Sequence, residues 1–434
     1  MLKFIKILLA GIIVSCYFFP FEFTFLPGVN TKMIMAAVSL GILAIQLAYG
    51  RNAKVDKSFF VLSLISLSIS LLCYTAVTIN GTNDYTYASY FVSMWVWLGG
   101  AYTATFVLRK VYGYLSVRLV CNYLIAICVA QCIIALLIDS SPLVKEFVDS
   151  YIQGFDFVDL DRLSGSERLY GIGAALDVAG TRFCVVLVMI AYLSYNLYRT
   201  HHKSYLPLYL FAFVIIAVVG NMIARTTIIG VALSIIYWFL VPKEQESKRN
   251  TILIWGIVIC IVVLPLIVYR YNTDVKFKEH IEFAFEGFFS LAESGKWDVT
   301  SNNNLKNMIV FPESIKTWII GDGYIENPRV TDPYYVGPTY SGYYMGTDIG
   351  YLRFIFYFGV IGLGMFMFFF YKAASVCVER FPKYGKMFWL ILLVNFLIWL
   401  KVATDIFVVF ALFLCIPQED NDAYENSISD PLDI

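Results

Sequence analysis

The sequence predicts an all-α polytopic membrane protein, and three observations carry that expectation. Of 434 residues, 59% are hydrophobic and only 15% are charged, with a mean hydropathy of +0.71. Apolar runs of membrane-crossing length recur along the chain. Basic side chains collect in alternate short connections, as the charge bias of membrane insertion requires. A chain of this kind can cross lipid only as helices, because every backbone polar group must be satisfied within its own segment. Formal net charge is zero, so no nucleic-acid partner is indicated.

In order, the apolar runs fall near 4–20, 33–50, 59–79, 88–108, 119–138, 173–198, 205–221, 225–241, 251–269, 348–371, 387–401 and 403–416. The last two are short and read either as two spans or as one re-entrant pair. Lys3 and Lys6 before the first run imitate a signal peptide, but no small-x-small cleavage pattern precedes Phe18-Phe19-Pro20, so this run is kept as a span. With a cytoplasmic N-terminus, the inside connections hold 17 basic residues, from Lys3 to Lys386. The short outside connections hold three, Lys32, Arg225 and Lys401. This gives about 12 transmembrane helices, both termini inside and two long extracytoplasmic loops. The expected organisation is spans 1–5 over 1–138, a first long loop over 139–172 and spans 6–9 over 173–269. A second long loop follows over 270–347, then spans 10–12 over 348–416 and a tail over 417–434.

The nine cysteines bound the chemistry. Eight lie inside apolar runs and none in the long loops, which argues against structural disulfides and against a zinc site. Cys128 and Cys132 share a helix face and read as buried filler. The acidic tail from Gln418 onward has the composition of an unstructured segment.

Within the second long loop, Phe277, Ile281, Phe285 and Phe288 recur at helical spacing, so one amphipathic helix is expected over Lys276–Ser294. A short helix is expected after Pro312, stopping at Gly321. Pro328, Pro333, Gly337, Pro338 and Gly342 then indicate irregular backbone.

Charge gathers at the outer boundary. Arg162 and Arg168 precede the sixth span, which carries Asp177 and Arg182; Arg225 lies in the tight link between spans seven and eight; Asp348 and Arg353 stand at the mouth of span ten. Several guanidiniums at one depth suit a phosphate or diphosphate, which arginine grips in a bidentate fork. The alternative is that each arginine pairs with a local acid, Arg182 with Asp177 for instance, or snorkels to water and only pins the bundle. A transfer reaction also needs an acid or base, and the outside candidates are Asp348, Asp177 and His280. His280 sits within the amphipathic helix and reads first as a surface histidine, while His201 and His202 fall in an inside turn. Asp159-Leu-Asp161 imitates an acidic metal pair, but nothing else supports a metal. Trp318, Tyr324 and Tyr344 belong to an aromatic-rich stretch that suits either stacking on sugar rings or the membrane interface.

These patches together resemble the O-antigen polymerase and ligase superfamily, the Wzy-like proteins of bacterial surface polysaccharide assembly. The resemblance rests on Arg168, Gly171, Asp177 and Gly180; on Ala224-Arg225-Thr226-Thr227-Ile228-Ile229-Gly230; and on Ile320-Gly321-Asp322-Gly323-Tyr324 followed by Thr347-Asp348-Ile349-Gly350-Tyr351-Leu352. It covers roughly residues 160–370. It implies a bacterial inner-membrane glycosyltransferase acting on undecaprenyl-diphosphate-linked oligosaccharide, with no cofactor. It also implies a chain-length regulator and a flippase as partners. Diphosphate binding would fall to Arg168, Arg182, Arg225 and Arg353, catalysis to Asp348, His280 or Asp177, and glycan binding to Trp318, Tyr324 and Tyr344. Where ligases of the superfamily carry a histidine near the end of the last long loop, this chain has Thr347-Asp348, which favours a polymerase over a ligase. A secondary transporter or lipid flippase is the alternative from another class, but such proteins keep ionisable residues at mid-membrane.

Overall fold

The computed structural model describes residues 2–49, 56–153, 168–196, 205–240, 246–332, 334–340 and 342–429. Arg162, the Asp159-Leu-Asp161 pair, His201 and His202 lie outside these residues. Every expected apolar run is helical. Near the N-terminus come α1 (Leu2–Phe18), α2 (Thr31–Ala48), α3 (Lys57–Asn80), α4 (Tyr90–Tyr112) and α5 (Val117–Ser140). Next are α6 (Pro142–Tyr151), α7 (Leu176–Asn196), α8 (Leu206–Ile223), α9 (Thr227–Phe239) and α10 (Glu246–Thr273). The second long loop holds α11 (Val275–Ala284), α12 (Glu286–Ser294), α13 (Thr300–Asn307), α14 (Ile315–Ile320) and α15 (Pro328–Thr331). The chain closes with α16 (Gly350–Arg380), α17 (Gly385–Ile398), α18 (Phe407–Leu414) and α19 (Gln418–Ser429). Among the described residues, eight helices are long and apolar enough to cross a membrane: α2, α3, α4, α5, α7, α8, α10 and α16.

The all-α polytopic expectation agrees with this architecture; one small sheet is added to it, and three other expectations need correcting. In the sheet, β1 (Glu22–Phe23) pairs antiparallel with β2 (Leu26–Asn30) and with β3 (Ile152–Gln153). Glu22 faces Asn30 on one side and Gln153 on the other. Strands of two residues are too short for a periodic signal. The amphipathic stretch is two helices, because the chain leaves helical geometry at Phe285, which caps both α11 and α12. The tail is ordered to Ser429, with Glu419 and Asp420 in the first turn of α19, where the helix dipole favours acids. Asp420 pairs with Arg109 at 2.7 Å, and Asn421 accepts the Val117 amide at 3.1 Å. Finally, α16 is not one uninterrupted helix: Phe358 and Gly359 leave helical geometry.

The chain forms two compact units. The first comprises Met1–Val38, Gly100–Lys296 and Cys415–Ile434. Its core is α7, buried along nearly its whole length against α8 and α9. Small residues allow the close approach that helix packing in lipid relies on. A Cβ on Gly180 would stand 2.9 Å from Ala224 Cβ, and one on Gly230 would stand 2.4 Å from Cys184 Cα.

The second unit comprises Ser39–Gly99 and Trp297–Leu414, arranged around α16. At the α16 break, Gly359 has φ +69° and ψ −172°, a conformation open essentially to glycine alone. The break frees the carbonyls of Phe356 and Tyr357, which accept the amides of Asp322 at 2.6 Å and Gly323 at 3.0 Å. Helix α14 ends at the break: a Cβ on Gly359 would meet Ile319 O at 2.1 Å, and one on Gly321 would meet Tyr357 C at 2.4 Å.

Candidate functional site

In the first unit, the segment ahead of α7 is held by its backbone. Gln131 on α5 clasps Ile172, accepting its amide at 3.0 Å and donating to its carbonyl at 2.9 Å. The Leu169 amide donates to Met222 O at 3.2 Å, tying the segment to the end of α8. Gly173 takes a positive φ beside Phe19 O, where a side chain could not fit. These restraints fix Arg168. The α8–α9 link carries Arg225, and the neighbouring Thr226 hydroxyl donates to the Asp177 carboxylate in the first turn of α7.

The two arginines meet one aromatic ring. The Arg225 guanidinium lies 4.2 Å from the Phe283 ring centroid and pairs with Glu286; the Arg168 guanidinium lies 5.1 Å from the same ring. The break between α11 and α12 brings Phe283 and Glu286 to this place together. Burial lowers the Arg168 pKa below its ordinary value, Asp177 opposes that shift and the Arg225 charge adds to it. Arginine keeps its proton even so. Among the described residues, Arg168 has no carboxylate within ion-pair distance.

The structure therefore brings together Arg168, Arg225 and Asp177. Arg182 lies instead in α7 over Phe18 at 5.8 Å and Phe19 at 5.3 Å, and is 5% exposed. His280 corrects the expectation of a surface histidine: it is buried, with Nε2 3.3 Å from Asp139 Oδ1. It lies with Ile281 and Ala284 on the buried face of α11, while Lys276, Lys278 and Glu279 stay exposed.

In the second unit, Asp84 is fully buried and organises the loop after α14. One carboxylate oxygen accepts the amides of Ile325 at 2.8 Å and Glu326 at 3.2 Å. The other accepts the Thr86 hydroxyl at 2.6 Å and the Thr86 amide at 3.2 Å. The Asp84 carbonyl accepts the Tyr357 hydroxyl at 2.6 Å, just before the α16 break. Glu326 is thereby set near Arg353, with Oε1 3.8 Å from Nη2. Arg353 is 8% exposed, lies 3.3 Å from the Tyr343 ring centroid and leaves its Nε without a partner among the described residues. Burial raises the Glu326 pKa; Arg353 opposes the shift and Asp84 adds to it.

Tyr324 and Tyr344 come together at 5.4 Å between ring centroids, and Tyr340 reaches Tyr344 at the same distance. The Tyr344 hydroxyl donates to Asp322 at 3.3 Å, and the Thr317 hydroxyl donates to the other oxygen of that carboxylate at 2.7 Å. Trp318 stacks on Phe311 and donates to the Pro312 carbonyl at 3.0 Å. Asp348 is half-buried ahead of α16, beside a Thr347 hydroxyl that accepts the Ile349 amide.

Sequence reasoning missed Asp84, Glu326, Phe283 and Glu286. Asp84 had a signal, being the sole carboxylate in the link between α3 and α4, whereas the other three sit in stretches with many similar neighbours. Comparisons with family models, with curated proteins and with solved structures found no match.

Proposed function

We propose that the protein is a polymerase of polyprenyl-diphosphate-linked oligosaccharide repeat units. It spans the bacterial inner membrane twelve times with both termini cytoplasmic. The observation that carries this reading is the pair Arg168 and Arg225 over the Phe283 ring. Two guanidiniums held side by side in a partly buried place repel one another, and a diphosphate relieves that repulsion while using their forks. The acceptor sugar hydroxyl attacks the anomeric carbon of the donor glycan, forming a glycosidic bond as the bond from that carbon to the diphosphate oxygen breaks. The polyprenyl diphosphate leaves with the bonding pair, and the arginines offset its growing charge. The hydroxyl proton passes to a carboxylate, and two stand near these arginines: Asp177, whose charge acts on Arg168, and Glu286, paired with Arg225.

A clean deletion strain, with its glycans resolved by repeat number, tests the reading. Single capped repeats are the expected product, with long chains restored by the wild-type chain and not by Arg225→Ala. Full-length polymer retained on the lipid carrier in the deletion strain would indicate a ligase instead. Normal chain lengths with Arg225→Ala would remove the assigned grip.

A further inference from the structure

At the end of the first unit where the tail helix docks, a groove opens between α5, α8 and α19, with a cavity volume of about 620 Å³. This lies within the range of pockets that bury small ligands. One end is polar. Arg118, in the first turn of α5, lines it together with Tyr209 and Tyr424. The Tyr209 hydroxyl donates to Asn122. Tyr424 is fixed by stacking on Tyr114 at 5.0 Å. The rest of the groove is hydrocarbon: Ile125, Ala126 and Val129 on α5 face Leu208 and Phe211 on α8. Leu208 and Phe211 are exposed, at 62% and 47%.

The charge at the polar end is only partly spent. A guanidinium carries five N–H donors. Among the described residues, no carboxylate lies within ion-pair distance of Arg118. This differs from Arg109, one turn from the end of α4, which is paired with Asp420. A half-buried cation at the head of an apolar channel, with phenol hydroxyls around it, fits an amphiphile with an anionic phosphate and a long alkyl chain.

We propose that this groove is a binding site for one anionic phospholipid of the leaflet at the tail-helix end. Its phosphate sits on Arg118 beside Tyr424, and one acyl chain runs between α5 and α8. Because α19 supplies Tyr424, the bound lipid also fastens the tail helix to the bundle. The site involves none of the residues assigned to glycan transfer.

The test uses the full chain, purified in detergent and examined by native mass spectrometry with dioleoyl phosphatidylglycerol and dioleoyl phosphatidylcholine as probes. The wild type retains one phosphatidylglycerol per chain under activation that strips phosphatidylcholine. Arg118→Gln weakens that retention about tenfold, as expected for one lost charged hydrogen-bonding partner, and abolishes headgroup preference. Ala126→Trp, which fills the apolar channel and leaves Arg118 in place, removes the retained lipid. Lys110→Gln, at an exposed cation in the last turn of α4 that does not line the groove, changes nothing. Should Arg118→Gln fail to fold, the Ala126→Trp result decides. Unchanged retention in either groove variant overturns the proposal. So does a second copy of the chain lost with Ala126→Trp, which would make the groove a protein interface.

Discussion

Replacing Gly359 with alanine puts the α16 break to a direct test. The new Cβ would stand 2.1 Å from Ile319 O, 2.2 Å from Ile319 C and 2.5 Å from Ile320 N, all backbone atoms that cannot rotate away. Holding a non-glycine residue at φ +69° and ψ −172° costs about 1–3 kcal/mol. Pushing α14 off the break also endangers the Asp322–Phe356 and Gly323–Tyr357 hydrogen bonds, each contributing about 1 kcal/mol. The total loss is therefore about 3–5 kcal/mol. Gly364, on the same helix, has nothing within 4 Å of a would-be Cβ. Gly364→Ala gains up to about 1 kcal/mol in helix propensity. Thermal unfolding of the purified protein in one detergent, followed by tryptophan fluorescence, separates the two. Gly359→Ala lowers Tm by about 3–6 °C, and Gly364→Ala leaves it unchanged or raises it. Equal Tm values for the two variants would refute the claim that α14 is lodged against an obligatory glycine.

Three further outcomes follow from the same geometry. Gln131→Leu removes both hydrogen bonds to Ile172, destabilises the protein by about 2–4 kcal/mol and releases the segment that carries Arg168; a Tm equal to wild type would contradict that restraint. Arg225→Lys keeps the charge but loses the fork, so chain-length profiles should fall between wild type and Arg225→Ala; a wild-type profile would show that only charge matters there. Because burial raises the Glu326 pKa, the folded state holds that proton to higher pH than the unfolded state does. Stability is therefore lost as pH rises from the ordinary glutamate value, about 4.3, through the raised one. Tm scans between pH 4 and pH 8 should show that loss in wild type and not in Glu326→Gln; parallel curves would place Glu326 in water.

Hydropathy and length were enough to find the long apolar helices, because a span declares itself by composition. The same patterns were silent on what interrupts them. Phe354–Gly364 reads as continuous apolar helix, and only contact with Ile319 shows why Gly359 stands in the middle. The strand pairing of Glu22 and Phe23 spans too few residues to leave a period, and its third strand lies more than a hundred residues away. Arg168, Asp177 and Arg225 were legible because fixed charge at a helix boundary is rare. Their aromatic floor, Phe283, was not, since one phenylalanine among many carries no mark. His280 looked exposed because periodicity gives a residue's face and not what covers it. Glu326 is placed by Asp84, a partner 242 positions away that no local pattern connects to it.

Reconstitution of the purified chain in liposomes with a single purified undecaprenyl-diphosphate-linked repeat unit is the most direct test of the central claim. The wild type should convert that one substrate into a ladder of longer lipid-linked glycans, and Arg168→Ala and Arg225→Ala should each leave it as the single unit. A ladder of equal length from both arginine variants would contradict the account.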